Sequence, residues 1–262
     1  MRRFTAEYLE TTRAGMWEDS REALVDLQLQ DRERVLDVGA GTGELTRVLR
    51  EETECEVIAL DADASLLAHA GEPSVLGDAT RLPLTEDSVD LVVCQALLVN
   101  LPDPSEALAE FSRVSRDLVA VIEPDNTAVS VESTVDTEAT LARRARELYL
   151  DGADTDPGIG NAADRFAAAG FRDVTVHRYD HQRNIEPPYS EQALRGAQKK
   201  ASGAGLDSDR ATILGGDTTA EGFDRLREQW RAMGRTVVDQ MQAGEYRRSE
   251  TIPFYVTVGS VD

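Results

Sequence analysis

The stretch Val35-Leu36-Asp37-Val38-Gly39-Ala40-Gly41-Thr42-Gly43 constrains this chain more than any other. Its first residues read as a buried strand. Three glycines at alternate positions then permit a sharp turn, and Glu44-Leu45-Thr46-Arg47-Val48-Leu49 carries the apolar spacing of one helix face. Strand, glycine turn and helix are the opening unit of a nucleotide-binding α/β sheet. Glycine lets the backbone of such a turn approach a ligand with no Cβ in the way.

The spacing narrows the ligand. A dinucleotide turn, G-x-G-x-x-G, seats pyrophosphate on the helix N-terminus, but counting from Gly39 the third glycine falls on Glu44, whose carboxylate repels pyrophosphate. The pattern present has an acid, Asp37, two residues before the first of three alternate glycines. It resembles motif I of the class I S-adenosylmethionine-dependent methyltransferases, of the type 11/25-like kind. The resemblance implies that the backbone of Gly39, Ala40, Gly41, Thr42 and Gly43 approaches the methionine and ribose portions of the cofactor, with Asp37 near the amino-acid part.

A second strand, Cys55-Glu56-Val57-Ile58-Ala59-Leu60-Asp61, ends in an acid, and Ala64 to Ala70 fits the helix that follows. A carboxylate at that strand end accepts hydrogen bonds from ribose hydroxyls, each worth about 1.5–3 kcal/mol, so Asp61 is the first expected ligand, with Ala62 beside it. A solvated strand-end carboxylate is the plainer role for Asp61, and Asp63 either substitutes for it or starts the next helix. Downstream, Val75-Leu76-Gly77-Asp78-Ala79, Leu82-Pro83-Leu84 and Asp87-Ser88-Val89-Asp90 are similar to the family's G-D-A-x-x-L-P-F-x-x-x-S-F-D. The resemblance implies that Asp78 bonds the adenine amino group while the neighbouring backbone at Ala79 reads the ring nitrogen. A turn-capping role for Asp78 is the alternative.

Asp90 to Gln95 reads as the central fourth strand, and Gln95 to Leu101 as the loop at its carboxyl end, where open α/β sheets bind ligands. The family often carries His-His near Leu98 and Val99. This chain does not, which leaves Gln95 and Asn100, neither of them a base. Should an alcohol or acidic carbon be methylated, the candidate bases are Glu123 and Asp125, at the end of the fifth strand Leu118–Pro124, and His181.

Charge excludes some partners. Lysine plus arginine number 28 against 49 acids, a net charge of −21, with basic pairs such as Arg143-Arg144 and Lys199-Lys200 too short to form a basic patch. Such a surface repels nucleic-acid phosphates and anionic membranes, so neither is an expected partner. With only two lysines the chain also resembles proteins of salt-loving archaea, where molar salt screens charges within roughly 3 Å. Cys55 and Cys94 lack metal or disulfide spacing and read as inert core residues. The start of the chain lacks the apolar region of a signal peptide, and no run approaches the ~18 apolar residues of a membrane span, so a soluble cytoplasmic protein is expected.

Outside the core, Tyr8 to Leu29 carries helical spacing. Trp17 belongs to a helix packed on the sheet, or to a lid over the cofactor mouth. Pro104 to Ser115 is an amphipathic helix, Gly160 to Gly170 another closed by Gly170, Val174 to His181 a sixth strand, and Ile252 to Val258 the terminal strand with Pro253 at its start. The long helix from Ala220 to about Met241 places Trp230 and Met233 on a core face. Glu186-Pro187-Pro188-Tyr189 reads as a rigid loop, not as the related motif of amino-methylating enzymes. His177 and His181 read as surface or satisfied histidines, since no third metal ligand has recognisable spacing, and no metal is expected.

The resemblance covers about Arg32 to Asp125. It implies an α/β, Rossmann-like doubly wound sheet of seven strands, six parallel and the last antiparallel, with helical insertions. One domain is expected over residues 1–262: an N-terminal helical lid at 1–30, a cofactor-binding core at 31–126, and insertions at 127–157 and 182–250 over the substrate side. The implied function is in-line methyl transfer from S-adenosylmethionine to a small-molecule acceptor. A non-catalytic S-adenosylmethionine-binding protein and an NAD-dependent oxidoreductase are the competing readings. Oligomeric state is not legible.

Overall fold

The computed structural model describes Leu9, residues 16–156 and residues 158–261. Most of the expected N-terminal lid, residues 1–8 and 10–15, lies outside the described residues. The chain divides into two compact units. The first takes in the described residues up to Asp125, Gly158–His181, and the chain from Pro253 onward. The second takes in residues 126–156 and Gln182–Ile252.

The first unit holds β1 (Arg34–Val38), α1 (Glu44–Glu52), β2 (Glu56–Asp61), α2 (Ala64–Leu67), β3 (Ser74–Leu76), β4 (Val89–Gln95), α3 (Pro104–Val114) and β5 (Ser115–Pro124). Five strands run parallel in the order β3-β2-β1-β4-β5. Burial on both faces explains their apolar character. Successive side chains point to opposite faces. Leu36, Val38, Val92, Cys94, Val119 and Val121 join one core layer with Ala107, Leu108 and Phe111 of α3. Val35, Leu91, Val93, Leu118, Ala120 and Ile122 join the other with Leu45, Val48 and Leu49 of α1. One sequence pattern of period two thus feeds both cores.

Among the described residues, the N-terminal segment holds a short helical turn, Met16–Asp19, followed by 3-10 helix at Arg21–Leu27, where helical spacing predicts α-helix as far as Leu29. Trp17 is buried in the second core layer, edge-on to Phe254 at 6.5 Å between ring centroids. The expected packed reading of Trp17 is the one seen. Helix α3 begins on Asp103, whose side chain accepts from Ser105 N, with Pro104 in the first turn. At the amino ends of the strands, Asp90 accepts from the amides of Glu33 and Arg34 at 2.7 and 3.0 Å.

The sheet has eight strands. β6 (Ser130–Ser133), β7 (Arg172–Ile185) and β8 (Arg248–Ser260) complete it. The carboxyl half of β8 runs antiparallel to β5, and its first residues pair with β6, Ser130 opposite Thr251 and Ser133 opposite Arg248. The extra strand went unread because Ser-Val-Glu-Ser offers a single apolar side chain. Pro253 lies inside β8, in the gap between those two pairings, where a missing N–H breaks no ladder bond. Helix α4 (Glu138–Asp151) follows β6, and α5 (Ala163–Ala168), shorter than expected, precedes Gly170, whose φ of +90° ends it.

The second unit adds α6 (Glu191–Ser202), α7 (Ala204–Ile213) and α8 (Ala220–Ala243). Met233, Val237 and Met241 of α8 form a core with Val135, Ala197 and Tyr246, against which Trp230 packs. α6 and α8 approach closely because Gly234 has no side chain: a Cβ there would lie 2.4 Å from the backbone of Lys200 and Ala201. Gly196, inside α6, faces open space. The same replacement should therefore have opposite signs at the two sites. Gly196→Ala should stabilise by about 0.5–1 kcal/mol through helix propensity, and Gly234→Ala should destabilise by about 1–3 kcal/mol through overpacking. Urea unfolding of the two variants checks both.

Candidate active site

The site grows from the end of β1. Gly39 N and Ala40 N both donate to Leu60 O, at 2.7 and 3.0 Å, which fastens the glycine turn to the end of β2. Gly41 N donates to Asp61 Oδ2 at 2.8 Å, and Asp63 N to Asp61 Oδ1 at 2.8 Å. Gly39, Gly41 and Gly43 all have positive φ, at 72°, 56° and 78°. At Gly43 a Cβ would also lie 2.4 Å from Ala70 Cα, so no larger residue fits between the turn and the segment after α2. Turn and Asp61, expected separately from sequence, are thus one hydrogen-bonded piece.

Other expected residues occupy different settings. Asp37 is buried and accepts from Thr46 Oγ1 at 2.5 Å, bracing the end of β1 to the first turn of α1. Ala40 and Ala79 are buried, and Thr42 nearly so, while Ala62 is exposed. Asp78, exposed two residues past β3, accepts from Thr80 N and Thr80 Oγ1 at 2.9 and 2.8 Å, both on Oδ1. The alternative foreseen for it, a turn cap, is present in this geometry, with Oδ2 outside the turn.

The loop after β4 is the most constrained part of the site. Ala96 adopts a positive φ of 49°, and Leu97 N, Leu98 N and Val99 N converge on the Glu123 carboxylate at 3.0, 2.8 and 3.2 Å. Glu123 is fully buried. Its carboxylate, one of the expected candidate bases, accepts from three backbone amides and so holds the loop. That loop in turn touches the glycine turn, since a Cβ on Gly39 would lie 2.9 Å from Leu97 Cδ1. Burial, with the nearby Glu123 and Asp37 charges, pushes the Cys94 thiol well above its ordinary range. Neither polar residue expected to face the acceptor stands clear. Asn100 Nδ2 donates to Ala96 O at 2.8 Å, and buried Gln95 contacts Trp17 Nε1 at 3.4 Å and Met16 Sδ at 2.9 Å.

Asp125 is partly exposed just beyond β5, its amide held by Pro253 O at 2.9 Å. His181 on β7 is buried, whereas His177 is exposed and pairs with Asp26 at 3.0 Å, so the two histidines do not share one environment. No group of three metal-ligating side chains occurs among the described residues.

This arrangement fits a nucleoside-bearing cofactor. A carboxylate has about four acceptor positions, and two described amide bonds leave Asp61 able to take ribose hydroxyls. Asp78 Oδ2 remains for an exocyclic amine, and the glycine turn offers backbone without side chains. A cofactor carrying a positive sulfonium suits this carboxylate-rich strand edge.

Comparisons with known proteins agree. The family described as "Methyltransferase domain" matches residues 36–120. A demethylmenaquinone methyltransferase of Mycolicibacterium paratuberculosis is 38% identical over 87 residues, 32% of this chain and 37% of that protein. Another, of Mycobacterium sp. (strain KMS), is 35% identical over 133 residues, 50% of this chain and 54% of the other. The chain therefore aligns with about half or less of the length of these relatives. A solved structure of a candidate methyltransferase from Bacillus halodurans shares the fold with a TM-score of 0.54 at 14% identity, covering 93% of this chain and 98% of that one. The motif-bearing core of this chain, with its glycine turn joined to Asp61 at the carboxyl edge of a parallel sheet, is thus similar over residues 36–120 to the methyltransferase-domain family.

Proposed function

We propose that this protein transfers the methyl group of S-adenosylmethionine to a small-molecule acceptor. The observation that carries this reading is the bond from Gly41 N to Asp61 Oδ2, which presents a glycine turn and a ribose-type carboxylate as one preformed surface. The matched relatives are named for methylation of demethylmenaquinone, so a reduced quinone ring is the first acceptor class to test here. The net charge of −21 disfavours nucleic acid as the acceptor.

The sulfonium supplies a methyl group with a good leaving group already attached. What the residues contribute is position, and in-line alignment can be worth on the order of 7–11 kcal/mol. In this reading Asp61 holds the ribose, Asp78 the adenine amine, and the Gly39–Gly43 backbone the remainder of the cofactor. Glu123 keeps the loop after β4 in one shape. An acceptor whose oxygen or carbon must lose a proton would draw on partly exposed Asp125 before buried His181.

Calorimetric titration in molar potassium chloride with S-adenosylmethionine, S-adenosylhomocysteine and NAD tests the cofactor. Micromolar binding of the first two without NAD is expected, and binding of NAD alone would overturn the reading. Asp61→Ala should weaken S-adenosylmethionine about ten- to hundredfold, the equivalent of one lost bond to a charged acceptor; an unchanged affinity would remove Asp61 from the site. For Glu123→Gln, the amides of Leu97, Leu98 and Val99 should exchange with solvent at least about tenfold faster. Hydrogen exchange read by mass spectrometry or NMR checks this, and unchanged protection would show that the carboxylate does not hold the loop.

A further inference from the structure

Arg50 stands in the last turn of α1, where a cation ordinarily faces water and complements the helix dipole. Its half-buried guanidinium turns elsewhere. Nε and Nη2 donate to Val57 O at 3.3 and 2.9 Å, Nη1 donates to Ala70 O at 2.8 Å, and Nη2 donates also to Pro73 O at 3.1 Å. Each of these bonds goes to a main-chain oxygen and none to a carboxylate, in a chain with 49 acids. One side chain thus joins α1, the start of β2 and the segment Ala70–Pro73 that leads into β3.

That segment bears on the glycine turn. Gly43, the residue that caps α1, lies so close to it that an added Cβ would come within 2.4 Å of Ala70 Cα. Ala70 also shares a small apolar cluster with Ala40 of the turn, Ala59 of β2 and Leu67 of α2. Three alanines and a leucine bury little area, so apolar contact alone holds the segment weakly. Gly71 adds freedom to it, with a φ of +71° that glycine adopts as readily as a negative one. The carbonyls that Arg50 grips lie on either side of Gly71 and supply the missing constraint. Pro73 O accepts from Ala59 N at 3.1 Å as well, so the grip also reaches the strand that ends in Asp61.

We infer that Arg50 is a positioning residue of the cofactor site. By holding the carbonyls of Ala70 and Pro73 it keeps Ala70 against Gly43 and Ala40, and so keeps the glycine turn in the shape that a nucleoside-bearing cofactor meets. The role calls for a guanidinium, whose five donors are spread over a planar fork, where an ammonium offers its donors from one nitrogen. The inference rests on the cofactor reading for its ligand; the grip on the segment does not.

The test compares Arg50→Met, which keeps an apolar stem and removes every donor, with Arg50→Lys, which keeps the charge on a single nitrogen. Both are studied well below their unfolding temperatures, so that lost global stability does not enter. In Arg50→Met the backbone amide resonances of Gly39, Ala40, Gly41 and Gly43 should move, while those of Val92 and Ala120 in the central strands stay in place. Calorimetric titration should show S-adenosylmethionine bound about tenfold more weakly, with Arg50→Lys between this variant and the unmodified chain. Turn resonances that stay in place would overturn the inference, and so would an unchanged affinity beside resonances that move. Should Arg50→Met fail to fold, Arg50→Lys carries both measurements, with smaller changes in the same directions. An unmodified chain that binds no S-adenosylmethionine overturns the methyl-transfer reading and the cofactor role of Arg50 with it, whereas failure of the Arg50 inference alone leaves that binding intact.

Discussion

A buried carboxylate that gathers three successive backbone amides governs the shape of the loop at the carboxyl edge of the sheet. Glu123 sits at the end of β5, and the three amides of Leu97, Leu98 and Val99 converge on it from the loop after β4. A charge without water is tolerated when its lone pairs are filled by donors. Here those donors are successive residues of one loop, so satisfying the charge fixes the loop. The left-handed Ala96 and the contact between Leu97 and Gly39 follow from that fixation. Loop, glycine turn and Asp61 then form one chain of contacts across the carboxyl ends of β5, β4, β1 and β2.

Much of this was legible because the central strands carry their instruction locally. Val35 to Val38 and Leu91 to Cys94 are apolar at almost every position, which only a sheet covered on both faces tolerates. The glycine turn was legible because backbone conformations with positive φ leave few residue choices. The 3-10 segment at Arg21–Leu27 was not, since its apolar spacing suits an α-helix equally well and tertiary packing decides. β6 and the first residues of β8 were missed for a related reason: they stabilise each other across more than a hundred residues and lack an apolar pattern of their own.

The site was legible in its residues and less so in their roles. Asp61 and the turn were expected as neighbours of one ligand, and the structure joins them directly. Glu123 was read as a base because an acid at a strand end near the expected pocket is chemically suggestive. What sequence withholds is the direction of the side chain, and Glu123 turns inward. The only hint was the run Leu97-Leu98-Val99, an apolar loop with no polar side chain to satisfy its own amides. The grip of Arg50 was invisible for a different reason. Its partners are main-chain carbonyls, which every residue carries, and in sequence Arg50 looks like an ordinary cation in the last turn of a helix.

Arginine's geometry leaves a further mark. Arg50 alone reaches the carbonyls of Val57, Ala70 and Pro73, at 2.9, 2.8 and 3.1 Å, a span that one ammonium nitrogen would not cover. All but two of the 28 basic residues are of this forked kind. Of the two lysines, Lys200 is folded against Glu138, and Lys199 is exposed. Among side chains, acylating and aldehyde reagents therefore find a single open amine, on α6.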